Sequence, residues 1–226
     1  MPLGLAELHL DVQYECDESG LLLRPRSKDV AAPSLHLVRT ADGNSWLLSA
    51  ALSHEERTEL GEIFAREAVF NETGEMEDAA PLLGGDGKRL GEYRGPAFHF
   101  PESLPAAGNS AELLHDATDA QTVPELSWIR DAKSAEHPLA VVRNPAGEIV
   151  SVCHSARSTA GGAEAGVETA PGYRGHSFAV AVVLLWAATV RAEGRIPLYS
   201  TQWTNHASRA VARKLGLVMY GEDHHD

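Results

Sequence analysis

The stretch Glu164-Ala165-Gly166-Val167-Glu168-Thr169, followed by Ala170-Pro171-Gly172-Tyr173-Arg174-Gly175-His176-Ser177 and the apolar run from Phe178 to Val190, decides how this chain is read. The first piece is short, bounded by glycines and carries Val and Thr, which predicts a strand. Pro171, Gly172 and Gly175 predict a turn. The apolar run is rich in Ala, Leu and Val and too long for an ordinary strand, so it predicts a helix buried on most sides. A strand, a glycine-bearing turn and a helix start form an anion site. Backbone N–H groups that lack helical acceptors converge there, and the helix dipole adds partial positive charge. Arg174 adds a full charge.

Working outward, the chain continues with Ile196-Pro197-Leu198-Tyr199-Ser200-Thr201, then Asn205-His206-Ala207-Ser208-Arg209, then Lys214-Leu215-Gly216-Leu217. Taken with the loop, these segments resemble the GNAT acetyltransferases. The acyl-CoA loop of that family reads R/Q-x-x-G-x-G/A after its fourth strand and opens a long helix. Here the loop is aligned as Arg174-Gly175-His176-Ser177-Phe178-Ala179, with Ser177 where glycine is usual. The downstream segments are similar to the family's fifth strand, its Asn-led last helix and its Leu-Gly-Phe ending. The resemblance covers the last third closely and extends more loosely back to about Gly95. It implies an α+β fold over residues 91–226, a mixed and mostly antiparallel sheet flanked by helices. Residues 1–90, which show no resemblance, are expected to form a small α/β domain, an antiparallel sheet plus a helix and a linker.

The resemblance also implies a site. The backbone of Val167, Glu168 and Thr169 would hold the pantetheine arm of acetyl-CoA and polarise the thioester. Arg174 and the N–H groups of Gly175, His176, Ser177, Phe178 and Ala179 would hold the pyrophosphate. Asn205 and Ser208 would line the far side of the cleft. Transfer to an amine needs a base, stabilisation of the thioester oxygen and release of the thiolate. Glu164 and Glu168 lie an even number of residues apart on one strand, hence on one face, and either could be the base. Glu164 is favoured because the family often places its base early on this strand. His154 is a further candidate, against a structural role. The family's acid is a tyrosine three residues before Leu-Gly, where this chain has Ala212. Tyr199 or Ser208 could replace it, or the thiolate could leave unassisted.

Composition bounds the partners. The 226 residues carry 32 Asp plus Glu against 19 Lys plus Arg, a formal charge of -13. That balance argues against nucleic acid and anionic membrane as partners. An amine acceptor, either a small molecule or a protein terminus, is compatible with it. Cys16 and Cys153 are expected as unpaired thiols of a cytoplasmic protein. Cys153 reads as buried and inert rather than as a nucleophile. No His/Cys spacing suggests a metal site, and Asp223-His224-His225-Asp226 reads as a polar tail rather than a set of ligands. A homodimer is open. The rival functions are a catalytically silent acyl-CoA-binding or regulatory protein, and a phosphate-binding module of another α/β class, which the downstream segments weigh against.

The remaining elements follow from local pattern. Leu8, Leu10, Val12 and Tyr14 alternate with polar residues and predict a strand, turning at Asp17-Glu18-Ser19-Gly20 toward Leu21 to Arg24. A second hairpin is expected about Ala41-Asp42-Gly43-Asn44. Ser53-His54-Glu55-Glu56 is a capping box before Leu60, Ile63 and Phe64 at helical spacing. Thr73 to Gly95 reads as linker and Ala97 to Phe100 as strand. Asn109 and Ser110 could cap a helix through Leu113 and Leu114, and Val123 to Ile129 suggests another. Leu139 to Arg143 and Ile149 to Ala156 form a hairpin about Asn144-Pro145-Ala146-Gly147. Trp186 is expected in the core, and Leu217 to Tyr220 as the last strand.

Overall fold

The computed structural model describes residues 2–26, 32–66, 93–105, 110–132 and 136–225. They form two compact units: residues 1–99, 200–206 and 219–226, and residues 100–199 and 207–218. The expected boundary at residue 90, and the linker up to residue 92, lie outside the described residues.

The first unit contains α1 (Pro2–Gln13), β1 (Tyr14–Cys16), β2 (Leu22–Pro25), β3 (Leu35–Thr40), β4 (Gly43–Leu48), α2 (His54–Arg66), β5 (Tyr93–His99) and β11 (Val218–His225). Within it β4, β3, β11 and β5 are successive neighbours in a sheet, and β1 pairs antiparallel with β2. The hairpin of β3 and β4 turns at Ala41-Asp42, since Thr40 pairs with Gly43. The capping box is present. Ser53 N–H donates to Glu56 Oε2 at 2.7 Å, and Glu56 N–H donates to Ser53 Oγ at 3.2 Å. Leu60 and Phe64 of α2 then bury against Leu35, Leu37 and Leu48.

Three expectations fail here. Residues 8–13 are helical, not extended. Ala6, His9, Leu10 and Gln13 are buried, at the i, i+3, i+4, i+7 spacing of one helical face. Two of these four are polar, so the period-2 pattern of the leucines hid the buried face. The carboxy-terminal Asp223 and His224 are not a tail but buried strand residues, with β11 paired antiparallel to β3 from Gly221↔Thr40 to His225↔His36. The linker also ends sooner than expected, because β5 begins at Tyr93.

The second unit contains β6 (Glu112–Leu114), a 3-10 segment (Pro124–Asp131), β7 (Leu139–Arg143), β8 (Ile149–Ser158), β9 (Gly162–Thr169), α3 (Phe178–Ala192), β10 (Ile196–Ser200) and α4 (His206–Leu215). The strand order is β10, β9, β8, β7, β6; β10 and β9 are parallel and the remaining pairs antiparallel. Val182, Val183, Trp186, Ala187 and Val190 of α3 are buried, and the Trp186 indole donates to Ser155 Oγ on β8 at 3.2 Å. The expected helix through Leu113 and Leu114 is strand β6, whose ladder to Leu139–Val141 outweighs local capping; Asn109 lies outside the described residues. The segment after Val123 starts at Pro124 as a 3-10 turn and breaks its helical geometry at Leu126.

Candidate functional site

The parallel pair β9–β10 is short. Ile196, Pro197 and Leu198 pair with Gly162, Ala163 and Glu164, and there the register ends, while β9 runs on to Thr169. Its other edge stays paired with β8 as far as Ser151↔Thr169. Val167, Glu168 and Thr169 therefore lie on the stretch of β9 that has left β10. Backbone donors and acceptors on that edge are outside the β9–β10 ladder, the kind of position at which an extended, amide-bearing ligand can pair.

The chain then passes through a 3-10 turn at Pro171–Tyr173 into α3. Gly175 (φ 82°) and Ser177 (φ 62°, ψ 16°) both take the left-handed conformation. Ser177 is the N-cap, yet its side chain makes no capping hydrogen bond. The first helical bond runs from Ala181 N–H to Ser177 O, so the N–H groups of Phe178, Ala179 and Val180 precede any helical acceptor. The two left-handed positions are two residues apart, the spacing of Gly-x-Gly/Ala. The geometry thus aligns that pair of the loop motif with Gly175 and Ser177, two residues earlier than the sequence alignment had it. Glycine suits both places because of their φ, a reason the sequence did not display.

Charge gathers at the same loop. Arg174 Nε donates to Thr169 O at 3.3 Å, which folds the guanidinium back over the end of β9. Lys214 Nζ, in the last turn of α4, donates to Ser177 Oγ at 3.3 Å. Lys214 was missed as a site residue, since its sequence role is satisfied by sitting at a helix carboxy terminus. His176 is exposed, bonds the Arg174 carbonyl at 2.9 Å and stacks on Phe178. Asn205 stands just before α4, and Ser208 lies in its first turn, 2.7 Å from the Tyr199 hydroxyl. Burial pushes the Tyr199 pKa up, the Ser208 hydrogen bond opposing and Cys153 adding, to about 12.

The register Val152↔Glu168 and His154↔Gly166 puts Glu168, His154 and Gly166 on one face, and even spacing adds Glu164. Ser155 and α3 occupy the other face. The two carboxylates differ sharply. Glu164 is buried and accepts a hydrogen bond from Arg157 Nη1 at 2.8 Å; Glu168 is exposed. A β-bulge between Ser155 and Arg157 aims that arginine at Glu164, which sequence alone could not show. His154 lies across the β9 backbone, and a Cβ on Gly166 would stand 2.4 Å from its Nε2. Its ring packs on Trp128 at 4.8 Å, and His154 Nδ1 and the Trp128 indole N–H are both buried without a partner among the described residues. Burial lowers the His154 pKa, with Glu136 opposing. Cys153 is buried, and burial raises its thiol pKa well above the ordinary value, as expected for an inert thiol.

A parallel pair that ends early, leading through two left-handed residues to a helix amino terminus, matches the fold that the GNAT resemblance implies. Residues 138–222 match the family model described as GNAT acetyltransferase. Solved structures similar to the chain include a GNAT-family protein from Novosphingobium aromaticivorans, at 18% identity and TM-score 0.47, covering 59% of this chain and 63% of that one. A GCN5-related N-acetyltransferase-like protein from Streptococcus suis shares 18% identity at TM-score 0.46, covering 86% and 84%. A GNAT-family acetyltransferase from Colwellia psychrerythraea shares 15% at TM-score 0.48, covering 93% and 79%. No curated protein matches the chain in sequence. Among the described residues no helix is long and apolar enough to cross a membrane.

Proposed function

We propose that the protein transfers an acetyl group from acetyl-CoA to an amine. The observation that carries this is the end of the β9–β10 ladder at Glu164 and Leu198, with β9 continuing unpaired on that side to Thr169 and then, through two left-handed residues, to the amino terminus of α3. A pantetheine arm would add amide bonds to Val167–Thr169 as a missing strand does. The pyrophosphate would meet the N–H groups of Gly175 to Ala179, with Arg174 and Lys214 beside them. Asn205 and Ser208 would face the other side of the cofactor.

We assign the base to Glu168, whose exposed carboxylate shares the Glu164 face and is not held by Arg157. Glu164 becomes a positioning residue acting through that arginine. The amine attacks the thioester carbon, its proton passes to Glu168 directly or through a water, and the C–S bond breaks to release the thiolate. A protonated Tyr199, hydrogen-bonded to Ser208, can return a proton to that sulfur; the thiolate is otherwise a fair leaving group with a pKa of about 8.5. The acceptor class is an amine, on a small molecule or a protein terminus.

Thiol release from acetyl-CoA with a panel of amines tests this. The parent should turn over. Glu168→Gln should lose about 100-fold in kcat, regain rate as pH rises and keep its cofactor affinity. Glu164→Gln should be milder and without that pH recovery. Saturable acetyl-CoA binding with no turnover on any amine would favour the silent acyl-CoA-binding reading, and no binding at all would remove both.

A further inference from the structure

The first unit holds a polar group for which acyl transfer has no use. His9 of α1, His36 of β3 and Asp223 of β11 are all buried, with one ligand-type atom from each lying within 4.8 Å of the others. His36 Nε2 contacts Asp223 Oδ1, and His9 Nε2 lies 3.3 Å from Asp223 Oδ2. The outer nitrogens are held as well: His36 Nδ1 is 2.7 Å from the Tyr14 hydroxyl, and His9 Nδ1 is 2.6 Å from the Tyr220 hydroxyl. The Gln13 side-chain amide reaches His9 Nε2. Two imidazoles, each gripped at Nδ1, thus turn Nε2 inward toward one carboxylate and one amide.

We propose that His9, His36 and Asp223 bind a structural zinc ion, with the Gln13 side-chain oxygen as fourth ligand. Two imidazole nitrogens and a carboxylate are a donor set that suits zinc. Zinc–ligand bonds of about 2.0–2.2 Å in a tetrahedron set neighbouring ligand atoms about 3.3 Å apart. The His9–Asp223 separation of 3.3 Å already has that value. Proton accounting points the same way. A tyrosine oxygen can accept from each Nδ1–H, which fixes the tautomer that leaves Nε2 as a lone pair. A half-turn of the Gln13 amide presents its oxygen. Three ligand atoms within 4.8 Å of one another, with the Gln13 amide beside His9 Nε2, are then an arrangement a divalent cation satisfies. The closed environment, made by three elements distant in sequence, is that of a structural rather than a catalytic ion. It also explains why local spacing in the sequence suggested no metal: the ligands come from residues 9, 13, 36 and 223.

Metal analysis of the tag-free, full-length protein tests this. After exhaustive dialysis the parent should keep about one zinc per chain. A strong chelator should lower its Tm, and zinc should restore it. His9→Gln and His36→Gln should retain at least tenfold less zinc, while His54→Gln, on the exposed face of α2, should retain the parental amount. If the variants do not fold, cobalt decides: the chelated parent should take up one equivalent with the visible absorption of a tetrahedral site, discharged by zinc. A folded parent that binds neither zinc nor cobalt, with a Tm indifferent to chelator, overturns the site. So does metal that both histidine variants retain undiminished.

Discussion

The two units put polarity in different places. The second places its candidate site on β8, β9, the following loop, the start of α3 and, further on, Tyr199, Ser208 and Lys214, over a core of mostly Val, Ile, Leu and Trp186 in which Glu164 is the one buried charged side chain among the described residues. The first buries polar side chains in the core itself: His9, Gln13, His36, Arg39, Thr40, Glu222, Asp223 and His224. These come from both ends of the chain. One unit separates the work of holding the fold from the work of binding, whereas in the other polar partners hold the fold. A buried ion pair is weak evidence of net stability, but breaking one is costly because the surviving charge has no water. The units should therefore respond in opposite ways to polar substitution: loss of stability in the first, and loss of binding or rate in the second.

The largest effect is expected at Glu222. Its carboxylate accepts from Arg39, from Arg94 Nε at 2.8 Å, from the Trp203 indole at 2.6 Å and from His224 Nε2 at 2.8 Å. Burial pushes its pKa up, but the bonds from His224, Arg39 and Trp203 outweigh that and hold it at about 2, below the ordinary 4.5. A depressed carboxylate stabilises the folded state above its ordinary pKa, and that stability is lost as pH falls from about 4.5 through about 2. Glu222→Gln should cost about 3–5 kcal/mol at neutral pH by urea denaturation and flatten the acid limb. A loss under 1 kcal/mol would erase the contrast between the units.

The next effect lies in the second unit and tests whether its sheet is as plain as it looks. Gly166→Ala forces a methyl group into the His154 ring. The cost should be about 1–3 kcal/mol. His154→Ala in the same chain should recover much of it, giving a coupling that a double-mutant cycle can read. Additive losses would mean that the ring does not press on β9.

Much of the second unit was legible because its signals are local. The Asn144-Pro145-Ala146-Gly147 turn and the strand–loop–helix stretch each carry their physical cause within a few residues, as does the Ser53 to Glu56 capping box of the first unit. The first unit was less legible for the same reason. The buried face of α1 contains His9 and Gln13, which hydropathy scores as solvent-facing; Gln13 bonds His9, and the partners that make the burial of His9 tolerable are Tyr220 and Asp223, more than 200 residues away. The terminal Asp-His-His run looked like a tail until its ladder to β3 was seen. At the site, what sequence could not supply was direction: the bulge that turns Arg157 onto Glu164, and the α4 register that brings Lys214 to Ser177.

If polarity in the second unit serves binding, its cations should be nearly silent in stability. Arg174→Ala and Lys214→Ala should each weaken acetyl-CoA binding by about tenfold, more at low salt, where the lost charge is least screened. Each should leave the urea midpoint nearly unchanged, since both side chains are exposed. Unchanged affinity in both variants would place the pyrophosphate elsewhere than this loop.

The smallest effect, and the finest test, belongs to Ser177. Its left-handed φ of 62° costs a non-glycine residue about 1–2 kcal/mol, which glycine would relieve. Glycine also enlarges the unfolded ensemble, which takes back about 0.5–1 kcal/mol. Ser177→Gly also removes the acceptor of the 3.3 Å contact from Lys214, an exposed bond of little net worth. These terms nearly cancel, so the Tm should move by no more than a few degrees, upward. Acetyl-CoA affinity should stay within about tenfold of the parent, because closer backbone approach offsets the lost hydroxyl donor. Ser177→Leu separates conformation from contact. It keeps an unfavourable φ, adds bulk at the mouth of the helix and offers no donor, so it should bind far worse while destabilising only modestly. If Ser177→Leu binds as well as the parent, the amino terminus of α3 does not hold the phosphates, and the polar chemistry of this unit serves something other than an acyl-CoA.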